Sequence, residues 1–174
     1  MKDNYKHAIF AGGCFWCIEA AMEELDGVIE AINGYTGGNT ENPTYEEVST
    51  GTTGHIEATK VIYDPEVIMY PELLNRFWGN INPTDKGGQF ADRGSQYETV
   101  IFYTDDEQKK YAKESKADLE RSSKYDSPIV TKILPEKPFY EAEEEHQDYY
   151  KKRQEHYLAY KKGSGREEYI KSHE

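Results

Sequence analysis

Two cysteines three positions apart, Cys14 and Cys17, carry the first chemical signal in this chain of 174 residues. They stand in Gly12-Gly13-Cys14-Phe15-Trp16-Cys17, where a glycine turn runs into a segment of helical character. On the first turn of a helix, residues i and i+3 lie about 5–6 Å apart, a span that a disulfide bridges. Unpaired N–H groups at a helix N-terminus favour thiolate over thiol, so Cys14 is expected to be the activated nucleophile and Cys17, one turn in, its resolving partner. Phe15 and Trp16 offer a wall for a small apolar group. Other readings of the pair stay open at this level. A zinc site needs two more ligands, and His7, His55, His146, His156 and His173 show no ligand spacing. Buried thiols can also simply pack as small hydrophobes. A thioredoxin-like motif would carry small residues or proline between its cysteines, where this chain has Phe15 and Trp16.

The elements that must position these residues follow from apolar periodicity and turn signals. A short strand over 7–11 leads through Gly12-Gly13 into a helix over 15–25, closed by Gly27. Strands are expected over 28–35 and 54–63, separated by a loop around Gly37-Gly38 and Asn42-Pro43. Pro71 opens a helix through Trp78, a loop covers 82–95, and a third strand runs over 96–103. Thr104 and Glu107 have capping-box spacing for a helix to about Ser122, and a short strand covers 129–134. From Glu141 the chain turns to charge and tyrosine, with Tyr150, Tyr157 and Tyr160 in rough helical register, and reads as a surface helix and a wrapping tail.

Strands and helices so intermixed indicate one α+β or α/β domain over 1–174, with 152–174 as a charged, tyrosine-rich extension. Aliphatic residues are scarce, yet 15 Tyr and 2 Trp can build an aromatic-rich core. The formal net charge of −12 argues against nucleic acid and anionic membrane as partners. No run approaches the roughly 20 apolar residues of a spanning helix. Ala8–Ile18 resembles a signal peptide's apolar region, but Gly12-Gly13 interrupts it and Glu19 stands where small residues should lead to cleavage. Two cysteines without a leader suit a reducing, cytoplasmic setting.

Gly13-Cys14-Phe15-Trp16 resembles the active-site motif of the peptide methionine sulfoxide reductase A family. So do Gly34-Tyr35-Thr36-Gly37-Gly38, Asn42-Pro43-Thr44-Tyr45-Glu46-Glu47-Val48, Gly54-His55-Ile56-Glu57-Ala58, Asp92-Arg93-Gly94-Ser95-Gln96-Tyr97, and Phe139-Tyr140 with Ala142-Glu143, in family order. His146-Gln147 followed by Tyr149 resembles the last block, and little beyond about Lys152 can be matched.

The resemblance implies an α+β fold whose mixed sheet surrounds a ferredoxin-like split β-α-β core, flanked by helices and long functional loops. It implies that Cys14 attacks the sulfur of methionine-S-sulfoxide, free or in oxidised proteins, and becomes a sulfenic acid. Glu57 is then the proton donor, although strand alternation alone would place it on a solvent face. Desolvation would raise its pKa as that role requires. Tyr45 and Tyr97 match tyrosines that hydrogen-bond the sulfoxide oxygen, Asp92 an acidic residue that binds substrate, and Phe15 and Trp16 the walls around its S-methyl group. Many members carry resolving cysteines near the C-terminus. This chain has none after Cys17, so recycling runs through a Cys14–Cys17 disulfide reduced by thioredoxin or another dithiol. Arg93 stands where histidine is frequent. No metal or organic cofactor is implied, and the protein is expected to act as a monomer. A general thiol–disulfide oxidoreductase is the main alternative and would not need Glu57. A non-catalytic aromatic reader of peptides would not need Cys14.

Overall fold

A computed structural model describes residues 4–173. Alternation in the first strand, β1 (Lys6–Gly12), sets the layering: Ala8 and Phe10 enter one apolar cluster, Ile9 and Ala11 the other. The larger cluster is covered by α1 (Phe15–Glu23) and α3 (Tyr70–Trp78), which bring Ile18, Met22, Leu73 and Phe77 onto Phe10. α4 (Asp106–Arg121) adds Ala112 to it. Pro71 in the first turn of α3 and Arg76 in its last suit the helix ends they occupy.

The sheet is mixed. β1 lies antiparallel to both β3 (Ile56–Tyr63) and β6 (Thr99–Tyr103), and β2 (Val28–Thr36) lies antiparallel to β3. β7 (Lys132–Pro135) pairs parallel with β6, and β8 (Phe139–Glu141) antiparallel with β2, giving the order β7-β6-β1-β3-β2-β8. A two-stranded hairpin, β4 (Gly88–Gln89) and β5 (Asp92–Arg93), stands apart from it. The architecture is α+β, with helices flanking a mixed sheet.

Local differences from the sequence reading have local causes. The expected third strand starts later, because Ser95–Tyr97 forms a 3-10 turn before β6. The Thr104–Glu107 capping box does not form: Asp105 is the N-cap, accepting from Gln108 N–H at 2.8 Å, while Gln108 Oε1 accepts from Thr104 N–H at 2.9 Å. The capping box that does form is Thr44 with Glu47, and it starts α2 (Tyr45–Ser49) inside the loop expected before β3. β8 is too short to show a period and exists through its partner β2. The C-terminal segment forms α5 (Tyr149–Lys152), α6 (Gln154–Gly163) and α7 (Arg166–Ser172).

Candidate active site

Gly13 makes the turn that presents the first cysteine. Its φ of +84° is a left-handed conformation, and a Cβ there would meet Gln89 Cβ at 2.6 Å. The chain then enters α1 with Cys14 as N-cap and Cys17 within the first turn. Gln89 is itself held on both sides, accepting from Asn82 N–H at 2.8 Å and donating to Asn82 O at 2.7 Å.

Glu57 arrives from β3, in register with Tyr35 of β2. It is 3% exposed, and its Oε1 accepts the Phe15 N–H at 3.2 Å, so the carboxyl group sits beneath the start of the cysteine helix. Burial pushes its pKa up to about 8; the Phe15 N–H opposes that shift, and the nearby Asp92 and Cys17 charges reinforce it. Solvent-face alternation fails for Glu57 because both faces of this end of β3 are covered.

Tyr45 is the first residue of α2, so the Thr44 cap positions it directly. Its N–H donates to Glu143 Oε2 at 2.9 Å, and Glu143 Oε1 accepts from the Tyr35 hydroxyl at 3.0 Å. The Tyr45 ring lies on His146, with centroids 4.3 Å apart. Tyr97 comes from the 3-10 turn before β6. Burial and the Glu57 charge keep both phenols protonated, Tyr45 at about 12 and Tyr97 higher. Phe15 is packed among Tyr35, Tyr45 and His146 at centroid distances of 5.8, 6.4 and 5.7 Å. Trp16 stacks on Tyr149 at 3.9 Å.

These residues enclose a cavity of about 190 Å³, lined by Cys14, Phe15, Trp16, Tyr45, Glu57, Asp92 and Tyr97, and closed by His156 and Tyr160. Seven of the eight residues expected at the site therefore meet in one place. Cys17 does not line it. It borders a separate cavity of about 360 Å³ on the side of α6, shared with Tyr157 and Lys161. The arrangement can hold a small polar group with an apolar substituent, present one sulfur to it, and donate protons from a carboxylic acid and two phenols.

The resting charge differs from the helix-terminus expectation. Burial raises the Cys14 thiol, and its hydrogen bond to Cys17 and the Glu57 charge reinforce this. The Cys17 thiol is lowered to about 6, chiefly because Cys14 donates to it; Arg166 and Tyr157 add to the effect against the burial cost. Burial and the Cys17 sulfur therefore favour the thiol at Cys14, while the Cys14 S–H, Arg166 and Tyr157 favour the thiolate at Cys17.

The sequence reading also missed what the C-terminal segment contributes. The Tyr160 hydroxyl donates to the Asp92 carboxylate, Tyr157 packs on both cysteines, and Arg166 is 1% exposed. The spacing of Tyr157 and Tyr160 on one helical face was the available signal; Arg166 carried none.

A sequence model described as "Peptide methionine sulfoxide reductase" matches residues 6–174. The chain belongs to that family. Its similarity to the family runs through α6 and α7, beyond the last motif legible by eye. Among relatives, the reductase of Bacillus licheniformis is 52% identical over 173 residues, covering 99% of this chain and 96% of that protein. The reductase of Ligilactobacillus salivarius is 54% identical over 166 residues, covering 95% and 96%. Among solved structures, reduced Mxr1 from Saccharomyces cerevisiae superposes with a TM-score of 0.82 at 30% identity, covering 88% of each chain.

Proposed function

We propose that the protein reduces methionine-S-sulfoxide, free or in oxidised proteins, and so repairs oxidative damage to methionine. Cys14 attacks the sulfoxide sulfur while Glu57 protonates the oxygen, with Tyr45 and Tyr97 donating hydrogen bonds to it, and the proton that leaves the Cys14 thiol restores the Glu57 carboxylic acid. Oxygen passes to the Cys14 sulfur, which is oxidised by two electrons to sulfenic acid as methionine is released. Phe15 and Trp16 hold the S-methyl group and Asp92 helps to orient the substrate. Cys17 then displaces the oxygen from Cys14 to give the Cys14–Cys17 disulfide. Thioredoxin, or another dithiol, returns both thiols by exchange. Thiols carry all the electrons, so no metal or organic cofactor enters this cycle.

One observation carries the reading: a buried carboxyl group with its pKa near 8 shares the small cavity with Cys14 and two neutral phenols. A general thiol–disulfide oxidoreductase has no use for that acid. The topology supports the finer fold description, because β1 and β2 run parallel on either side of β3 and α1 connects them, as in a ferredoxin-like split β-α-β core. We read the whole chain, 1–174, as one monomeric cytoplasmic domain. Its acidity argues against nucleic acid, and no helix of the described residues is long and apolar enough to cross a membrane.

A single turnover tests the function. Reduced protein mixed with methionine-S-sulfoxide and no reductant should yield one methionine per chain as both thiols disappear, and the R epimer should yield none. Absence of methionine would overturn the reading.

A further inference from the structure

Arg166 is a buried cation held by carbonyl oxygens rather than by a direct carboxylate contact, with the Asp92 charge near it. Its Nη1 donates to Asn80 O at 2.7 Å and its Nη2 to Gly12 O at 2.8 Å, and the guanidinium lies 4.7 Å from the centre of the Phe90 ring. Among the described residues no carboxylate forms an ion pair with it. Two carbonyls satisfy donors without neutralising the charge, and a buried charge is costly unless anionic groups face it; Asp92 and the two cysteine sulfurs are those groups. The bond to Gly12 O places that charge at the turn leading to the cysteines. Tyr157, 4% exposed, reaches the same spot from α6, packs on Cys14 and Cys17, and shares the Cys17 cavity.

We propose that Tyr157 and Arg166 form a positioning site on the C-terminal arm that holds Cys17 as the thiolate which closes the disulfide. The proposal rests on the sulfoxide reduction above. In the closing step the Cys17 sulfur attacks the sulfenic sulfur of Cys14. The S–S bond forms, the S–O bond breaks, and the departing hydroxide takes the proton of the Glu57 carboxylic acid to leave as water, solvent then restoring that proton. No further oxidant is needed, because the Cys14 sulfur already holds the oxidising equivalents taken from the sulfoxide.

The side chains that act most strongly on Cys17 favour the thiolate. Cys14 donates its S–H from the same helix, Tyr157 and Lys161 face it from α6, and Arg166 from α7. Glu57, beneath the helix from β3, is the opposing charge, and it is relieved when that acid is protonated. Glu24, Arg76 and Tyr150 line the same cavity.

Tyr157→Phe keeps the ring and removes the hydroxyl; Arg166→Gln removes the charge, and Arg166→Lys restores it. In a Cys14→Ser background, the pH dependence of alkylation by iodoacetamide reports Cys17 alone. The midpoint should rise by about one pH unit in Tyr157→Phe and further in Arg166→Gln, with Arg166→Lys recovering most of it. With both cysteines present, a single turnover should still release one methionine per chain, while thiol loss slows about tenfold and the sulfenic acid becomes trappable by dimedone. If either the alkylation midpoint or the closing rate of Tyr157→Phe equals that of the parent chain, the positioning site is overturned, even where Arg166→Gln fails to fold. If the parent releases no methionine, the reaction itself fails, and this role with it.

Discussion

The Phe15 N–H donates to the Glu57 carboxyl group at 3.2 Å, joining the first turn of the cysteine helix to the strand beneath it. This contact places the proposed acid below Cys14 without exposing it to water. A carboxyl group buried here stays protonated at neutral pH because the cost of desolvating its charge exceeds what one N–H returns.

Glu57→Gln should therefore lower methionine formation about 10²–10⁴-fold, the usual worth of a positioned acid. Reduction of a preformed Cys14–Cys17 disulfide by dithiothreitol should be unchanged. In the parent chain the rate of the first step should fall as pH rises through about 8, where Glu57 loses its proton. Stopped-flow single turnovers across that range check both statements.

Glu19 gives a pH dependence of stability separate from catalysis. It is fully buried, accepts from Asn33 Nδ2 at 3.0 Å and from Asp148 N–H at 2.9 Å, and burial raises it to about 8. Its folded pKa lies above its unfolded value, so its contribution is fully present below about 4.5 and is lost as pH rises through about 8. Glu19→Gln should flatten the fall in stability between those limits, by up to about 1 kcal/mol per pH unit, as read by urea unfolding at several pH values.

Gly13→Ala should be severely destabilising. The added methyl group would force a left-handed residue against Gln89 Cβ and within 3.0 Å of Arg166 Nη2, in a region with no room to yield. A loss of more than about 2 kcal/mol is expected in chemical denaturation.

Tyr160→Phe keeps the edge-on packing against Trp16 and deletes the donor to Asp92. A hydrogen bond to a carboxylate is worth about 1.5–3 kcal/mol, so unfolding should occur at lower urea. With Asp92 less constrained, KM should rise severalfold while kcat stays within about twofold. Steady-state assays with a thioredoxin system separate the two parameters.

The local signals held where a few neighbouring residues decide the outcome. Gly12-Gly13 before an apolar segment marks a turn into a helix, and Cys14 is the N-cap. Pro71 marks the start of α3 to within a residue. The order of the longer strands and helices likewise followed from apolar periodicity, although 82–95, expected as a loop, holds the β4–β5 hairpin, and the motifs named the residues that now line the cavity with Cys14. Short elements were less legible: α2 depends on one cap and β8 on the edge of β2, neither long enough to show a period.

By itself the sequence determined the cysteine spacing, the order of the longer elements and the family. Only the tertiary structure decided which side chains share a cavity and where the charge rests. Glu57 became an acid because sheet and helix cover it on both faces, and the thiolate form is favoured at Cys17 first by the Cys14 thiol beside it and then by Arg166 and Tyr157, which return to it from more than a hundred residues away. A pKa is set by the solvent excluded and the charges gathered within a few ångströms, and those distances exist only once the chain has closed on itself.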